Sequence, residues 1–548
     1  LHALSPQLVL GIAGAVMALV AIASVFRLLS LSGGGRSVAE SLGGRLVATN
    51  TDDAQERRLL NVVEEMAIAA GLPVPPVYVL DEDGINAFAA GYGPDDAVIG
   101  VTRGTLELLD RNELQGVIGH EFSHVLNGDM RLNLRLTAVL FGILVIGIVG
   151  RSLVGRRSSG IRVASSRSSS RGGSGTAQIA ALAVGLMIIG YVGTFFGNLI
   201  KAAVSRQREF LADASAVQFT RDPDGIASAL RKIGGHYAGS GLLTGRAEEM
   251  SHMFFGQAVT GLLGGLGATH PPLEARISAV YPAWDGSFIT PKPAAPPAEA
   301  TPEAAEAGAA RSGLGAAVDA LEILPAAVAA GAVTAIRSQE VEARLGKVRP
   351  DDVARARELI GGLPRVFHDA AHDPFGARAA IYALLVPPGD DAGEALAHLD
   401  AHAEPGVPAL LRELLAHRSA LPAGGRITLV HLAMPALKAL SEPQYTRFRD
   451  NLVALIKLDG GISRFEWILH QVVLKELRPH FEGVRRRRMG STRIGGVQEA
   501  CWALLSTLAQ IDNAPEDAED ACRAGLRTLA LEFVLARKGG LAPREDRN

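Results

Sequence analysis

His120, Glu121 and His124 stand in the pattern H-E-x-x-H, within Gly119-His120-Glu121-Phe122-Ser123-His124. In a helix, side chains four apart lie on one face about a turn apart, so both imidazoles can reach one metal ion. Two imidazoles suit Zn2+, which needs one or two further protein ligands. Glu121 sits one step round the helix. That position suits taking a proton from a water on the metal better than it suits ligation. The same three residues can also be polar groups on a helix surface, since short motifs arise by chance.

A third ligand must come from elsewhere in the chain. Glu209 is the candidate, within Ser205-Arg-Gln-Arg-Glu-Phe-Leu-Ala-Asp213. It follows a second apolar run, and two such runs return the chain to the side of the motif. Three protein ligands would leave a fourth position for water, as catalytic zinc requires. Asp213, one turn on, can accept the free N–H of a ligating histidine and fix its tautomer. Spacing alone reads the pair equally well as the polar face of an ordinary helix.

The elements that must position these groups follow from periodicity and punctuation. A helix is expected over 53–70, ended by Gly71 and Pro73. Val74–Leu80, Asn86–Ala89 and Ala97–Thr102 read as short strands, the last β-branched and bounded by turn residues. A helical stretch follows from Thr105. The motif helix spans Asn112–Gly128, with Leu114, Val117, Ile118, Phe122 and Val125 at helical spacing. Helices are also expected to Phe219, over Gly225–Ile233 and after the prolines of His270-Pro271-Pro272.

Composition adds a membrane. Hydrophobic residues make up 48% of the 548, and net charge is −3. Mean hydropathy is +0.20. The charge gives no argument for a nucleic-acid partner. Leu8–Leu31 is long enough to span a bilayer, with a signal peptide as the competing reading. Leu136–Gly150 has only 15 residues between Arg135 and Arg151. It spans only if its ends snorkel or its helix extends further. Ala177–Ile200 is long enough unaided. The Arg-, Ser- and Gly-rich loop 151–176 argues for a cytoplasmic loop, whereas Arg27, Arg36 and Arg45 after the first run place the motif side in the cytoplasm. Cys501 and Cys522 form neither a metal motif nor a disulfide framework, which fits a reducing compartment.

Pro291–Ala309 reads as a linker, and the region beyond it as helices. Ser441-Glu-Pro-Gln444 looks like a capped helix start. The apolar run Ala326–Ile336 is too short to count as a span, and Arg485–Arg488 reads as a solvated patch with anionic partners as the minority option.

Taken in order, His120-Glu121-x-x-His124 with Asn127 and Asp129, then Arg208-Glu209-Phe210-x-Ala212-Asp213, then His270-Pro271 with Arg276, resemble the HtpX-type membrane zinc metalloproteases, relatives of the integral-membrane CAAX prenyl proteases. Asn86-Ala-Phe-Ala89 fits the same pattern. The resemblance covers about residues 33–285. It implies that His120, His124 and Glu209 bind zinc, that Glu121 is the general base and then the acid, and that His270 and Arg276 stabilise the oxyanion. The prolines after His270 could equally be helix punctuation. Strand 97–102 is expected to pair with an extended substrate. One N-terminal apolar run is visible where such chains usually show two, as a missing start would explain. Within the C-terminal region Asp459-Gly-Gly-Ile-Ser-x-x-Glu466 weakly resembles the acidic turn of TerB-like helical domains, and an ordinary helix–turn–helix is the simpler reading.

The expected fold is mainly α: a membrane-anchored, zincin-like α+β metalloprotease domain with a small sheet and inserted transmembrane helices, then an all-α C-terminal domain. The expected division is a membrane helix at 1–32, protease at 33–135, two membrane helices at 136–200, protease at 201–288, linker at 289–314 and helical domain at 315–548. The expected activity is zinc-dependent cleavage of unfolded or membrane polypeptides in quality control, at a bacterial inner membrane with the site facing the cytoplasm. The rivals are a narrow-specificity processing protease and a silent membrane scaffold whose C-terminal domain binds a protein partner.

Overall fold

The computed structural model describes residues 6–30, 33–158, 173–242, 250, 253–257, 270–293, 348–387, 392–422, 424–458, 463–482, 498–512 and 517–528. Of these, residues up to Arg357 form one compact unit and those from Glu358 on form a second.

The first unit begins with α1 (Pro6–Ser30), α2 (Gly34–Ser41), β1 (Arg45–Leu46) and α3 (Ala54–Ala69). Then come β2 (Val77–Leu80), β3 (Ala87–Ala90), β4 (Val98–Thr102), α4 (Arg103–Leu108) and α5 (Arg111–Asn127). Two long helices follow, α6 (Asp129–Ser158) and α7 (Gly173–Thr220), then α8 (Pro223–Gly235) and α9 (Leu273–Val280). The expected strands and helices are all present, with ends shifted by a few residues.

The sheet order is β1-β2-β4-β3. β2 and β4 are parallel, while β1 and β3 run antiparallel to their neighbours. β4 is therefore interior, with both edges paired. This overturns the expectation that strand 97–102 pairs with a substrate, because no ladder groups remain on it for a guest strand. The outer edge of β3 is itself bridged at Phe88 by Phe254, and the Phe255 N–H donates to the Ala87 carbonyl at 2.8 Å. Every residue of β2, β3 and β4 is buried.

Local chemistry sets the ends of α5. The Asp110 side chain accepts from Asn112 and Glu113 N–H groups, and Glu113 reaches back to the Asp110 N–H at 2.8 Å. This reciprocal cap satisfies donors that the helix start leaves open. Gly128 ends the helix in the left-handed region, at φ 72°, where a side chain would be strained. α5 also lies close to two neighbours. A Cβ on Gly116 would sit 2.8 Å from the Ile226 nitrogen of α8, and one on Gly119 would rest 3.5 Å from the Ala216 Cα of α7. Small residues thus bring the motif helix against the helix that carries Glu209.

α6 is longer than its apolar run. Asp129–Ser152 is a 24-residue stretch apolar and long enough to cross a membrane, as is the 18-residue Ala13–Ser30 of α1. Among the described residues, the apolar stretch of α7 is the shorter Ala183–Gly197. α7 nonetheless continues unbroken for 48 residues, joining that stretch to Glu209 and Asp213. α6 and α7 run antiparallel. Glycines meet at Gly147 with Gly190, Gly150 approaches Met187, and Gly193 and Gly197 face Ile143 and Leu140. Gly142 similarly approaches Val20 and Ser24 of α1. Such glycine-mediated backbone approach is how helices associate where no water drives them together. Leu10, Met17, Ile22 and Phe26 of α1, and Ile188, Ile189 and Phe196 of α7, point outward and are exposed.

The second unit is helical in all its described parts. Its centre is Pro374–Leu385, buried along its length from Gly376. Against it pack Val407–His417, Gly425–Lys438 and Glu442–Lys457. The expected start near Ser441 is present, with Gln444 accepting from the Ser441 N–H at 2.9 Å. Residues 459–462 lie outside the described residues. Beyond them, Ser463 and Glu466 form a reciprocal helix cap, so that Glu466 serves the start of Arg464–Phe481. The run 326–336, most of the linker, the loop residues 159–172 and the arginines 485–488 also lie outside the described residues.

Candidate metal centre

His120 and His124 project from α5 and Glu209 from α7, and they converge. The two Nε2 atoms are 3.1 Å apart. Glu209 places Oε2 3.6 Å from His120 Nε2 and Oε1 3.7 Å from His124 Nε2. One ligand atom from each of the three lies within 4.8 Å of the others. His120 and Glu209 are fully buried. Two imidazole nitrogens and a carboxylate at these separations leave room for one small cation between them.

What holds the imidazoles explains why these nitrogens face inward. His120 Nδ1 donates to Asp213 Oδ1 at 2.8 Å, and His124 Nδ1 donates to Asp129 Oδ2 at 2.9 Å. A carboxylate on each Nδ1 assigns its proton there and turns Nε2 toward the centre. Each carboxylate is paired in turn with an arginine. Arg276 donates from Nε to Asp213 Oδ2 at 2.8 Å and from a terminal nitrogen to Oδ1 at 2.7 Å. Arg208, beside Glu209 in sequence, pairs with Asp129. Arg276 also donates to the Phe255 carbonyl at 2.6 Å, with its guanidinium 4.6 Å from the Phe255 ring centre. The same ring meets His120 edge-on.

The electrostatics favour a positive charge at the centre. Burial works against charge on His120, but the Asp213 and Glu209 carboxylates outweigh it and hold the imidazole up at about 9. Burial and the neighbouring His120 push His124 down. Burial likewise opposes ionisation of Glu209, yet His270 and His120 beside it keep its carboxyl well below the usual range. Burial opposes ionisation of Asp213 too, and Arg276 overcomes it to hold that carboxyl down.

Glu121 is 1% exposed, and among the described residues neither of its carboxylate oxygens has a hydrogen-bond partner. Burial pushes its carboxyl up, in the direction that makes it a better base. A buried carboxylate with no donor is costly unless a ligand or water completes it. This orphan, beside the three converging donor atoms, is the observation by which the residues fit a bound zinc and its water. His270 is buried, with Nδ1 3.0 Å from Glu209 Oε2.

The site residues expected from the sequence therefore meet in one place. Three supporting roles were not read from it. Asp129 lies across the Gly128 break, so helical spacing does not link it to His124. Phe255 contacts His120 and Arg276 from a distant segment. Asn86, fully buried, binds Ser240 and Gly256 carbonyls through Nδ2 and the Gly256 N–H through Oδ1, anchoring that segment to β3.

A helix offering two imidazoles and an adjacent buried carboxylate, joined by a carboxylate from a second helix, defines a metallopeptidase-type site. The profile of peptidase family M48 matches residues 53–282. A protease HtpX homolog of Dictyoglomus thermophilum is 42% identical over 220 residues, covering 40% of this chain and 67% of the relative. One from Thermoanaerobacter pseudethanolicus is 40% identical over 229 residues, 40% of this chain and 69% of the relative. One from Leuconostoc citreum is 34% identical over 286 residues, 50% of this chain and 88% of the relative. No solved structure matches. The chain belongs to the HtpX-like proteases of peptidase family M48. It is thus a protease of a metallopeptidase family, and its second unit lies beyond the family match.

Proposed function

We propose that the protein is a membrane-embedded zinc endopeptidase that cleaves unfolded or membrane polypeptides in quality control. His120, His124 and Glu209 would hold the ion, with Asp213 and Asp129 orienting the two imidazoles. The observation that carries this reading is the buried, unpartnered Glu121 carboxylate beside three converging donor atoms.

When bound, Zn2+ supplies Lewis acidity toward the peptide carbonyl and brings a water's pKa near neutrality. Glu121 takes the proton of the attacking water on a carboxylate oxygen and later delivers it to the leaving amine nitrogen. Exclusion of solvent strengthens the first transfer by raising the basicity of the carboxylate. His270 lines the cavity beside the site and is positioned to donate toward the carbonyl oxygen as negative charge develops. Arg276 is engaged by Asp213 and Phe255, so we assign it to positioning the Asp213–His120 pair.

Membrane embedding rests on α1, α6 and α7, with their outward apolar side chains and glycine contacts. The site side is assigned to the cytoplasmic face of a bacterial inner membrane by the arginines that follow α1. The 1–32, 136–200 and 289–314 segments would then be the anchor, the inserted pair and the linker to the helical unit, whose use is binding a protein partner.

Metal dependence tests the reading. Dialysis against 1,10-phenanthroline is expected to abolish cleavage of an unfolded protein, and one equivalent of Zn2+ to restore it. Full activity in metal-stripped protein would exclude the mechanism.

A further inference from the structure

Beside the metal centre lies a cavity of about 300 Å³ that shares His270 and Arg276 with it. Its remaining walls come from Arg206 of α7, the Ser240 and Gly256-Gln257 segments, and Pro271–Leu273 at the start of α9. The charge balance of this lining is one-sided. Among the described residues it contains two guanidiniums, an imidazole and an amide, and no carboxylate. Arg276 is fully buried and committed to Asp213. Arg206 is only half-buried and is itself engaged within the protein, so a guest would share it. A guanidinium carries five N–H donors, so it can take up a guest while keeping its contacts within the protein. Arg206 stands three residues before Glu209 on α7, a spacing that puts both on one face of the helix. A group held by Arg206 would sit one helical turn from the candidate metal ligand. That is the reach of a substrate residue flanking the scissile bond. The prolines and Leu273 supply apolar wall for the methylenes of a side chain.

We propose that this cavity is a specificity pocket for a substrate carboxylate, with Arg206 as the residue that selects it. The carboxylate is that of a glutamate or aspartate side chain next to the scissile bond, or the free C-terminus of a short peptide. A guanidinium recognises either through a planar, two-pronged hydrogen bond that a carboxamide or an ammonium cannot reproduce. Discrimination against a lysine at the same position follows from placing like charges together in a low-dielectric cavity. The inference rests on the protease reading above and adds a substrate class to it.

The test uses the full-length, zinc-loaded protein and a panel of quenched fluorescent peptides. Each peptide carries Glu, Gln or Lys in turn at the positions flanking the cleaved bond, with a free or an amidated C-terminus. The wild type is expected to show kcat/KM at least about tenfold higher for Glu than for Lys at one position, or for the free over the amidated terminus, which separates the two sources of the carboxylate. Arg206→Gln should bring that ratio close to one, and Arg206→Glu should invert it. Bound zinc, measured in parallel, reports that the variants are folded. Gln257→Glu, a near-isosteric change on another wall, should lower the ratio without touching Arg206. A wild type that cleaves the panel with no charge or terminus preference overturns the inference. So does a zinc-loaded Arg206 or Gln257 variant that keeps the wild-type ratio. A zinc-loaded wild type that cleaves neither the peptides nor an unfolded protein defeats the protease reading itself.

Discussion

A hydrogen bond on one nitrogen of an imidazole fixes which nitrogen faces a metal, so half of this site is the pair of carboxylates behind the histidines. Asp213 and Asp129 hold Nδ1 of His120 and His124, and each is anchored by an arginine. Asp213→Asn and Asp129→Asn are each expected to weaken metal binding by about 10- to 100-fold, measured by competition with a chromophoric chelator. An unchanged affinity in either would remove that residue from the account. Arg276→Met removes the guanidinium that pairs with the buried Asp213 carboxylate, and should destabilise the protein by about 3–5 kcal/mol, read from unfolding in detergent. The residue-level site was partly legible in the sequence. The i,i+4 spacing of His120 and His124 encodes their convergence directly. Glu209 comes long after His124 in the chain, and no spacing rule joins them; the order of the motifs did. Asp129 was part of the matched pattern, but its role and that of Phe255 were not legible, because their contacts cross a helix break and a chain return.

At the scale of elements, the separation between His124 and Glu209 is bridged by α6 and α7. α7 carries its apolar stretch and Glu209 on one unbroken helix, so the ligand stands about 18 Å along the axis from Gly197. A rigid helix fixes that height. Its continuity was legible in principle, because neither glycine nor proline interrupts residues 198–222. The sheet was not. β2, β3 and β4 could be found from their local patterns and the two-residue β1 could not, while the order β1-β2-β4-β3 is a set of non-local pairings that buries the strand expected to receive substrate. The glycine contacts carry the element-level prediction. Gly190→Leu would force side-chain atoms into Gly147 and should destabilise the α6–α7 pair by about 1–3 kcal/mol, seen as a lower unfolding temperature in detergent. An unchanged unfolding temperature would mean that these helices do not depend on close backbone approach.

At the scale of the whole molecule, the antiparallel α6–α7 pair predicts a topology. With Cys501 and Cys522 replaced by serine, a single cysteine placed at Ser166 and one placed at Ser287 should react with a membrane-impermeant thiol reagent from opposite faces of sealed vesicles. Labelling of both from the same face would contradict the crossing of α6 and α7. The central claim is chemical, and one comparison tests it most directly: bound zinc and cleavage of an unfolded protein, measured side by side for the wild type and Glu121→Gln. The account predicts near-stoichiometric zinc in both, with cleavage by the variant reduced by about 10²- to 10⁴-fold. Equal cleavage by the two zinc-loaded proteins would contradict it.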